Sequence, residues 1–294
     1  MVIVKIWGGL GNQMFQFAAA KALSEKNNVL LKLDISHFNK TVSGEARRKY
    51  RLDIFPNIKE EFASPTEIKK MLPRFKMNLI NKVYKNFNQK ILNFNKSYKV
   101  ERSFSYSEIN LHDNKSAYLD GYWQAEKYFN IEPNLIKKIF CLDYLDSNTS
   151  LKSYVKKIKE TTSVSIHVRR GDYVTNRYTN SHHGVIKSNY YAESIKNIVQ
   201  LTSEDLTFFI FSDDIDWCKK NIKISYEHVY ITTPEDYFDL YLMSICKHNI
   251  IANSSFSWWA AWLNKYDKKV VIAPEKWFSH KVAIDIIPPS WIIK

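Results

Sequence analysis

The sequence has few cysteines, no long apolar run and fewer acidic than basic residues. Its three cysteines, Cys141, Cys218 and Cys246, are odd in number and widely spaced. This excludes a disulfide framework and a cysteine-based metal site, and it favours a reducing compartment. No apolar run approaches the roughly 18–20 residues that a membrane-spanning helix needs. Because residues 1–7 lead directly into a strand pattern rather than a signal peptide, we expect a cytoplasmic protein.

The shortage of acidic residues leaves a net charge of +13, from 43 basic and 30 acidic residues. The excess is concentrated in residues 69–102, where ten Lys or Arg accompany one acidic residue, Glu101. Apolar residues are interleaved there, and a basic amphipathic segment of this kind can lie on anionic lipid. An ordinary solvated helix face is an equal alternative. No nucleic-acid-binding motif accompanies the charge, so nucleic acid is not an expected partner.

Strand and helix patterns alternate along much of the chain. Residues 2–7, 13–26 and 29–33 read as strand, helix and strand, which is a parallel βαβ unit. From residue 164 to residue 273 strands and helices alternate again, and this predicts a parallel, doubly wound sheet. Low apolar density over residues 143–150 predicts a linker. The sequence therefore predicts an α/β protein with two domains, residues 1–150 and 151–294.

Residues 164–173, Val-Ser-Ile-His-Val-Arg-Arg-Gly-Asp-Tyr, read as a buried strand that ends abruptly in charged side chains. Arg169 and Arg170 are costly to desolvate unless an anion or a carboxylate meets them. Guanidinium groups bind phosphate through paired hydrogen bonds, and open α/β sheets bind ligands at the carboxyl ends of their strands. The segment favours a phosphate site. A structural ion pair with Asp172 is the alternative.

A glycine-rich turn, Gly-Gly-Leu-Gly-Asn-Gln at residues 8–13, follows the first strand. It is not a dinucleotide fingerprint, because Met14 occupies the third glycine position, and this argues against a nicotinamide or flavin site. Gly9 and Gly11 still let the backbone approach a ligand closely, and the helix that follows offers N–H groups to an anion. The alternative is a tight turn that needs a positive φ, with Asn12 or its neighbour capping the helix.

Other polar residues follow the later strands. Ser254 and Ser255 lie between a strand and a helix, so their hydroxyls can hold phosphate oxygens or simply cap the helix. The aspartates of residues 213–216 favour helix capping over metal binding, because no further ligands for a hard cation accompany them. Asp239 lies inside an otherwise apolar helix, where its carboxylate needs a donor such as the edge of a guanine, or water.

Taken together, these segments resemble the α-1,2-fucosyltransferases of glycosyltransferase family 11. The Gly-Gly-Leu-Gly-Asn-Gln-Met-Phe-Gln opening, His-Val-Arg-Arg-Gly-Asp-Tyr, Phe-Ser-Asp-Asp with Trp217-Cys218, and Asn-Ser-Ser-Phe-Ser-Trp-Trp-Ala-Ala-Trp occur in the family's order and spacing. The match spans residue 6 to about residue 275. The arginine motif is shared with α-1,6- and protein O-fucosyltransferases, whereas the glycine-rich opening with the serine-tryptophan segment is typical of the α-1,2 group.

The resemblance implies a GT-B-like fold, in which two Rossmann-type domains have parallel sheets that face a cleft. Residues 1–150 would then be the acceptor-side domain, and residues 151–294 would bind GDP-fucose. The implied reaction is an inverting transfer of L-fucose from GDP-β-L-fucose to the 2-hydroxyl of a terminal galactose-type sugar, in α-1,2 linkage. The resemblance implies no metal and no other required cofactor.

Site residues are carried over by position. The resemblance implies that Arg169 holds the diphosphate with Arg170 supporting the site, and that His167 and Asp239 read the guanine. The resemblance also implies that Ser254 and Ser255, which follow a later strand, contact phosphate.

On the sugar side, the resemblance places Asn12 beside the fucose and the attacking hydroxyl, next to Gly11 in the glycine-rich turn. Asp172 resembles a partner of the arginines.

The general base is not identified by the resemblance. The related α-1,6 enzymes carry a glutamate a few residues after the arginine motif, and the corresponding position here is Arg177, which cannot accept a proton. Asp172, His182 and His183 are the remaining candidates. A loose, dissociative transition state needs little help from a base.

The family's animal members carry an N-terminal membrane anchor, and from this sequence we expect none here. We therefore expect a bacterial enzyme that acts at the inner face of the membrane on a lipid-linked oligosaccharide, in surface polysaccharide or O-antigen synthesis, with residues 69–102 as a peripheral contact to anionic lipid. Two alternatives stay open: a transferase that uses another GDP-sugar, and a non-catalytic carbohydrate- or membrane-binding protein.

Overall fold

The computed structural model describes residues 1–39, 48–73, 97–111, 115–176, 180–181, 184–202, 205–279 and 285–294. They form two compact units, Met1–Ile136 and Lys137–Lys294. Each unit contains a sheet in which every described strand pair is parallel. This agrees with the predicted α/β class. No helix among the described residues is long and apolar enough to cross a membrane.

The first unit contains a five-stranded sheet with the order β3-β2-β1-β5-β4. Its strands are β1 (Val2–Lys5), β2 (Leu31–Asp34), β3 (Glu61–Phe62), β4 (Tyr98–Val100) and β5 (Ala117–Asp120). Its helices are α1 (Leu10–Asn27) and α2 (Pro65–Met71), and α3 (Pro133–Ile139) spans the division between the units. The crossover from β1 through α1 to β2 is the βαβ unit that the sequence predicts.

The second unit contains a six-stranded sheet with the order β11-β10-β9-β6-β7-β8. Its strands are β6 (Thr162–Val168), β7 (Leu206–Ser212), β8 (His228–Tyr230), β9 (His248–Ile250), β10 (Val271–Ala273) and β11 (Ile292–Ile293). Its helices are α4 (Lys152–Glu160), α5 (Gly171–Thr175), α6 (Ser188–Thr202), α7 (Ile215–Asn221), α8 (Asp236–Ser244) and α9 (Ser255–Leu263).

The core of the second unit lies around β6 and β7, which are paired over seven residues. Both strands are buried on their two faces, as apolar runs in parallel sheets usually are. Helix α9 contributes tryptophans at helical spacing. Trp258 and Trp259 are fully buried and pack edge-to-face, and the Trp258 indole N–H donates to the backbone carbonyl of Ile286 at 2.6 Å. These rings therefore belong to the core of the second unit.

The boundary between the units comes before the position that the sequence suggests. Residues 143–150 were predicted to be a linker, but they pack into the second unit. Asp143 pairs with Lys265 at 2.7 Å, Asp146 pairs with Lys159 at 2.7 Å, and the nearby Phe140 ring packs edge-to-face on Trp259. Charged side chains lowered the apolar density of this stretch and suggested a linker, although those same charges fix it to α4 and to the end of α9.

Candidate active site

The candidate site of the second unit lies where β9, β6 and β7, adjacent central strands, reach their carboxyl ends. The end of β6 is tied to the segment after β9, because the Tyr173 hydroxyl donates to the backbone carbonyl of Asn253 at 3.2 Å. The end of β6 is also joined to the end of β7 by two ion pairs, Arg169 with Asp213 and Arg170 with Asp214. Three strand ends therefore form one connected edge, at the position where parallel α/β sheets bind ligands.

Arg169 lies between two carboxylates. Its guanidinium contacts Asp172 on α5 and Asp213 after β7, each at 2.6 Å, and it lies 5.7 Å from the centre of the Tyr173 ring. The structural ion pair with Asp172 that the sequence offered as an alternative is therefore present. Because carboxylates hold the guanidinium on two sides, its orientation is fixed. Its planar set of N–H donors still suits a phosphate.

Arg170 is held by the first turn of α7. Its Nε donates to Asp214 at 3.2 Å, its backbone N–H donates to Asp213 at 2.8 Å, and its guanidinium lies 4.0 Å from the centre of the Trp217 ring. Asp214 is also the N-cap of α7 and accepts from the backbone N–H of Trp217 at 3.1 Å. Helix capping by this residue, predicted from the sequence, is confirmed.

Gly171 is required by the same cluster. A Cβ at this position would lie 2.6 Å from Oδ2 of Asp213, the oxygen that pairs with Arg169. The described residues contain no group of three or more His, Cys, Asp or Glu that could hold a metal ion. Asp213 pairs with Arg169, and Asp214 pairs with Arg170.

His167 is a buried polar residue of β6. Its Nδ1 is buried and has no hydrogen-bond partner among the described residues, and its ring lies 5.8 Å from that of Phe256 on α9. Burial and the neighbouring Arg169 lower the pKa of His167 to about 3. The imidazole is therefore neutral at neutral pH and keeps one nitrogen for a ligand, as a residue that reads a nucleobase edge requires.

Asp239 lies on α8, which follows β8. It accepts a hydrogen bond from the Thr233 hydroxyl at 2.7 Å. Burial raises the pKa of the Asp239 carboxyl to about 7, and the Thr233 hydrogen bond offsets only part of this effect. A carboxyl that titrates near neutrality, at the carboxyl edge of a parallel sheet, is typical of a functional position.

The serines after β9 occupy the start of α9. Ser254 is the N-cap residue, yet its side chain makes no capping hydrogen bond, so the capping alternative does not account for its hydroxyl. Ser255 is the first residue of the helix. The preceding Asn253 is buried and donates to the backbone carbonyl of Trp277 at 3.4 Å. The hydroxyl of Ser254 is therefore placed beside the N–H groups of a helix start, where anions bind.

The glycine-rich turn belongs to the first unit. Gly8 has a φ of +80°, which confirms the predicted tight turn, and Gly9 is the N-cap of α1. Gly11 lies in the first turn of the helix and is buried. Asn12 does not cap the helix, because its Oδ1 accepts a hydrogen bond from Gln124 at 2.8 Å. Gln13 donates to the Gly8 carbonyl at 2.9 Å and so braces the turn.

Sequence reasoning missed the group that supports Asn12. Glu101, after β4, accepts backbone N–H groups of Tyr122 at 2.6 Å and Trp123 at 3.0 Å. These bonds hold Trp123 at a φ of +57°, a left-handed conformation that is strained for a bulky residue. The next residue is Gln124, which contacts Asn12. Glu101, the only acidic residue of residues 69–102, therefore fixes the turn that places Gln124 against Asn12.

Among the predicted site residues, the structure joins Arg169, Arg170 and Asp172 in one cluster and places His167 immediately before it on β6. Asn12 and Gly11 lie together at the start of α1 in the first unit. Residues 74–96 of the basic segment, and the base-related positions Arg177, His182 and His183, lie outside the described residues.

Comparison with known proteins is consistent with the predicted resemblance. The profile described as Glycosyl transferase family 11 matches residues 1–293. An α-1,2-colitosyltransferase of Escherichia coli is 37% identical over 99% of this chain and 98% of its own length. The O-antigen biosynthesis glycosyltransferase WbnK of the same organism is 33% identical over 97% of both.

The solved structures support the fold. The NodZ α-1,6-fucosyltransferase co-crystallized with GDP superposes with a TM-score of 0.51 at 12% identity, covering 88% of this chain and 91% of that one. This likeness confirms the GT-B-like fold of two Rossmann-type units that the sequence predicts. With the arginine motif at the end of β6, the glycine turn before α1 and the profile match over almost every residue, the chain belongs to glycosyl transferase family 11.

Proposed function

We propose that this glycosyltransferase moves L-fucose from GDP-β-L-fucose to the 2-hydroxyl of a terminal galactose-type sugar, with inversion and without a metal. The observation that carries the proposal is the arrangement at the end of β6. Two guanidinium groups with fixed orientation lie directly after a neutral, buried His167 with an unused ring nitrogen. A diphosphate suits the former and a guanine edge suits the latter.

The proposed reaction depends on charge stabilisation. As the bond between the fucosyl C1 and the β-phosphate oxygen breaks, negative charge develops on the β-phosphate while C1 acquires oxocarbenium character. N–H donors of Arg169 and Arg170, which the remaining aspartates hold in place, stabilise that charge. The acceptor oxygen forms the new bond to C1 from the opposite face, and its proton leaves to a base. Asn12, fixed by Gln124, is the proposed polar contact to the sugars.

The arginines are already paired, and this must change when a diphosphate binds. Three aspartates (Asp172, Asp213 and Asp214) pair with two arginines, so a diphosphate has to replace one carboxylate. We assign Asp172, because it lies on the five-residue α5, whereas Asp213 also accepts the backbone N–H of Arg170. Once released from Arg169, Asp172 is the described carboxylate best placed to serve as the base.

Calorimetric titration with GDP and GDP-fucose in EDTA tests the proposal. We expect both to bind the wild-type protein, with slow release of fucose from the donor when no acceptor is present. Asp172→Asn should bind GDP more tightly, because the competing carboxylate is gone, and yet transfer fucose more slowly. If GDP does not bind to folded protein, the arginines are structural, and the non-catalytic carbohydrate- or membrane-binding alternative replaces the proposal.

A second donor is favoured by one specific observation, the 37% identity to an α-1,2-colitosyltransferase over almost the whole chain. Colitose differs from fucose by lacking the hydroxyl at C3, so the same phosphate and guanine contacts would hold either GDP-sugar. Competition between GDP-fucose and GDP-colitose in one transfer assay separates the two donors. Preferential transfer of colitose would retain the mechanism and change the sugar.

Likeness to an O-antigen biosynthesis glycosyltransferase supports a role in surface polysaccharide synthesis, with a lipid-linked oligosaccharide as the proposed acceptor. The contact of residues 69–102 with anionic lipid stays a prediction. Sedimentation with anionic liposomes tests it, and salt-insensitive binding or no binding would contradict it.

A further inference from the structure

A row of aromatic rings crosses the carboxyl edge of the sheet in the first unit. We call it the aromatic row, and its members are Phe38, His37, Trp7, Tyr122 and Phe104. Successive ring centres lie 5.8, 5.9, 4.3 and 6.2 Å apart. The rings therefore form one chain of contacts, in which Tyr122 lies between Trp7 and Phe104.

The row follows the strand order of the sheet rather than the order of the sequence. His37 and Phe38 come after β2, Trp7 after β1, Tyr122 after β5 and Phe104 after β4, and these strands are neighbours in the order β2-β1-β5-β4. Two more rings continue the chain of contacts to β3, since Tyr50 contacts Phe38 at 6.4 Å and Phe62 at 5.6 Å. With strands about 4.8 Å apart, five strands span roughly 19 Å.

The row is partly exposed and carries few charges. All five rings retain some solvent exposure, and Phe62 beyond the row is 53% exposed. Lys5 is a cation at the row, and its ammonium lies 5.4 Å from the centre of the Trp7 ring and pairs with Asp120 at 3.0 Å. The Trp7 indole N–H is shielded from water and has no acceptor among the described residues.

We propose that the aromatic row binds the acceptor glycan by packing the neutral pyranose rings against the exposed parts of these aromatic side chains. The axial C–H groups of a pyranose are weakly positive and pack on the electron-rich face of an aromatic ring, while its hydroxyls need donors and acceptors at the rim. The length of the row fits several consecutive sugar rings rather than one. This inference rests on the proposed transferase function and names its acceptor site.

Paired substitutions at Tyr122 and Trp7 test the row. Tyr122→Leu and Trp7→Leu remove a flat ring but keep apolar bulk, whereas Tyr122→Phe and Trp7→Phe keep the ring. Tyr226→Ala is the matched control, because Tyr226 is 43% exposed and lies before β8, at the amino edge of the other sheet. The probes are lactose and a galactose-terminated tetrasaccharide, measured by saturation-transfer NMR from the aromatic protons and by KM in the transfer assay.

We expect each Leu variant to raise the KM for the tetrasaccharide about 3- to 10-fold, the range that one aromatic contact supports, and to weaken saturation transfer to the sugar C–H protons. The Phe variants and Tyr226→Ala should match the wild type. GDP binding and donor hydrolysis should be unchanged throughout. If they are normal while the Leu variants keep the wild-type KM, or if neither sugar binds the wild-type protein, the row is not the acceptor site although the proposed donor reaction stands. If GDP itself does not bind, the proposed function fails first.

Discussion

At the carboxyl edge of the first sheet, each strand ends in or is followed by an aromatic residue, whereas at the corresponding edge of the second sheet β6 and β7 are followed by arginines and aspartates. The two sheets share parallel topology, so the difference lies in the side chains alone. The edge of the first sheet, called the neutral edge below, suits an uncharged ligand. The edge of the second sheet, called the charged edge, suits an anion. The proposed reaction joins a charged donor to a neutral glycan and would need both kinds of surface, and two parallel sheets of the same topology supply them.

Arg169→Ala should have the largest effect, because it removes the central cation of the charged edge. We expect kcat to fall by about 10²–10³, equivalent to ~2.7–4 kcal/mol, with the folded structure retained because the guanidinium is partly exposed. Steady-state kinetics and thermal unfolding of the same samples measure both quantities.

Arg169→Lys is the control for charge alone. It should be intermediate, since an ammonium cannot reproduce the planar fork between Asp172 and Asp213. Near-normal turnover of Arg169→Ala would remove this residue from the mechanism.

Two glycine substitutions, Gly171→Ala at the charged edge and Gly9→Ala at the neutral edge, test the difference between the two sheets. Gly171→Ala should lower turnover about tenfold and destabilise the fold by ~1–3 kcal/mol, because its methyl group would displace Asp213 from Arg169. Gly9→Ala should cost at most ~1 kcal/mol, through the weaker N-cap, since no atom lies within 4 Å of its Cβ position.

Kinetics and urea unfolding of both glycine variants provide the measurement. If Gly9→Ala lost as much turnover as Gly171→Ala while remaining stable, the neutral edge would also require a close backbone approach to its ligand.

Acidification should weaken donor binding through Asp239. If Asp239 reads the guanine as the resemblance implies, only its carboxylate form accepts the guanine N–H groups, and a pKa of about 7 means that protons compete with the base below neutrality. Affinity for GDP-fucose should therefore rise about tenfold from pH 6 to pH 8 and level off above. His167, whose pKa is about 3, stays neutral throughout this range and contributes nothing to the change.

GDP-fucose is the suitable probe for this titration, because its diphosphate has no proton to lose in that range. Asp239→Asn should bind more weakly at pH 8 and show a flat pH profile. An unchanged slope in that variant would assign the titration to another group.

The charged edge was predictable because its signal is local. A β-branched strand that runs into two arginines occupies ten consecutive residues, and the serine segment is similarly compact. Parallel topology then brings such strand ends to one edge without further information. What the sequence could not supply was the pairing within the cluster, since Asp213 meets Arg169 from the end of a different strand.

The neutral edge escaped prediction for the opposite reason. Its rings come from four separate strand ends, no two segments share a motif, and single aromatic residues after strands are ordinary. Glu101 was hidden in the same way, because it lies in a stretch read as helical or irregular, and its two backbone partners belong to the turn after β5. The position of the domain boundary likewise depended on ion pairs that form only after folding.

The Arg170 guanidinium lies 4.0 Å from the centre of the Trp217 ring, so the fluorescence of Trp217 reports on the charged edge. Indole emission responds to a cation held against the ring, so any anion that draws Arg170 away changes the fluorescence of this one tryptophan. The chain has eight tryptophans, and the difference between the wild-type spectrum and that of Trp217→Phe isolates the contribution of this residue. If the donor binds at the arginines as proposed and shifts Arg170, its binding can be followed in real time, during turnover, without a label.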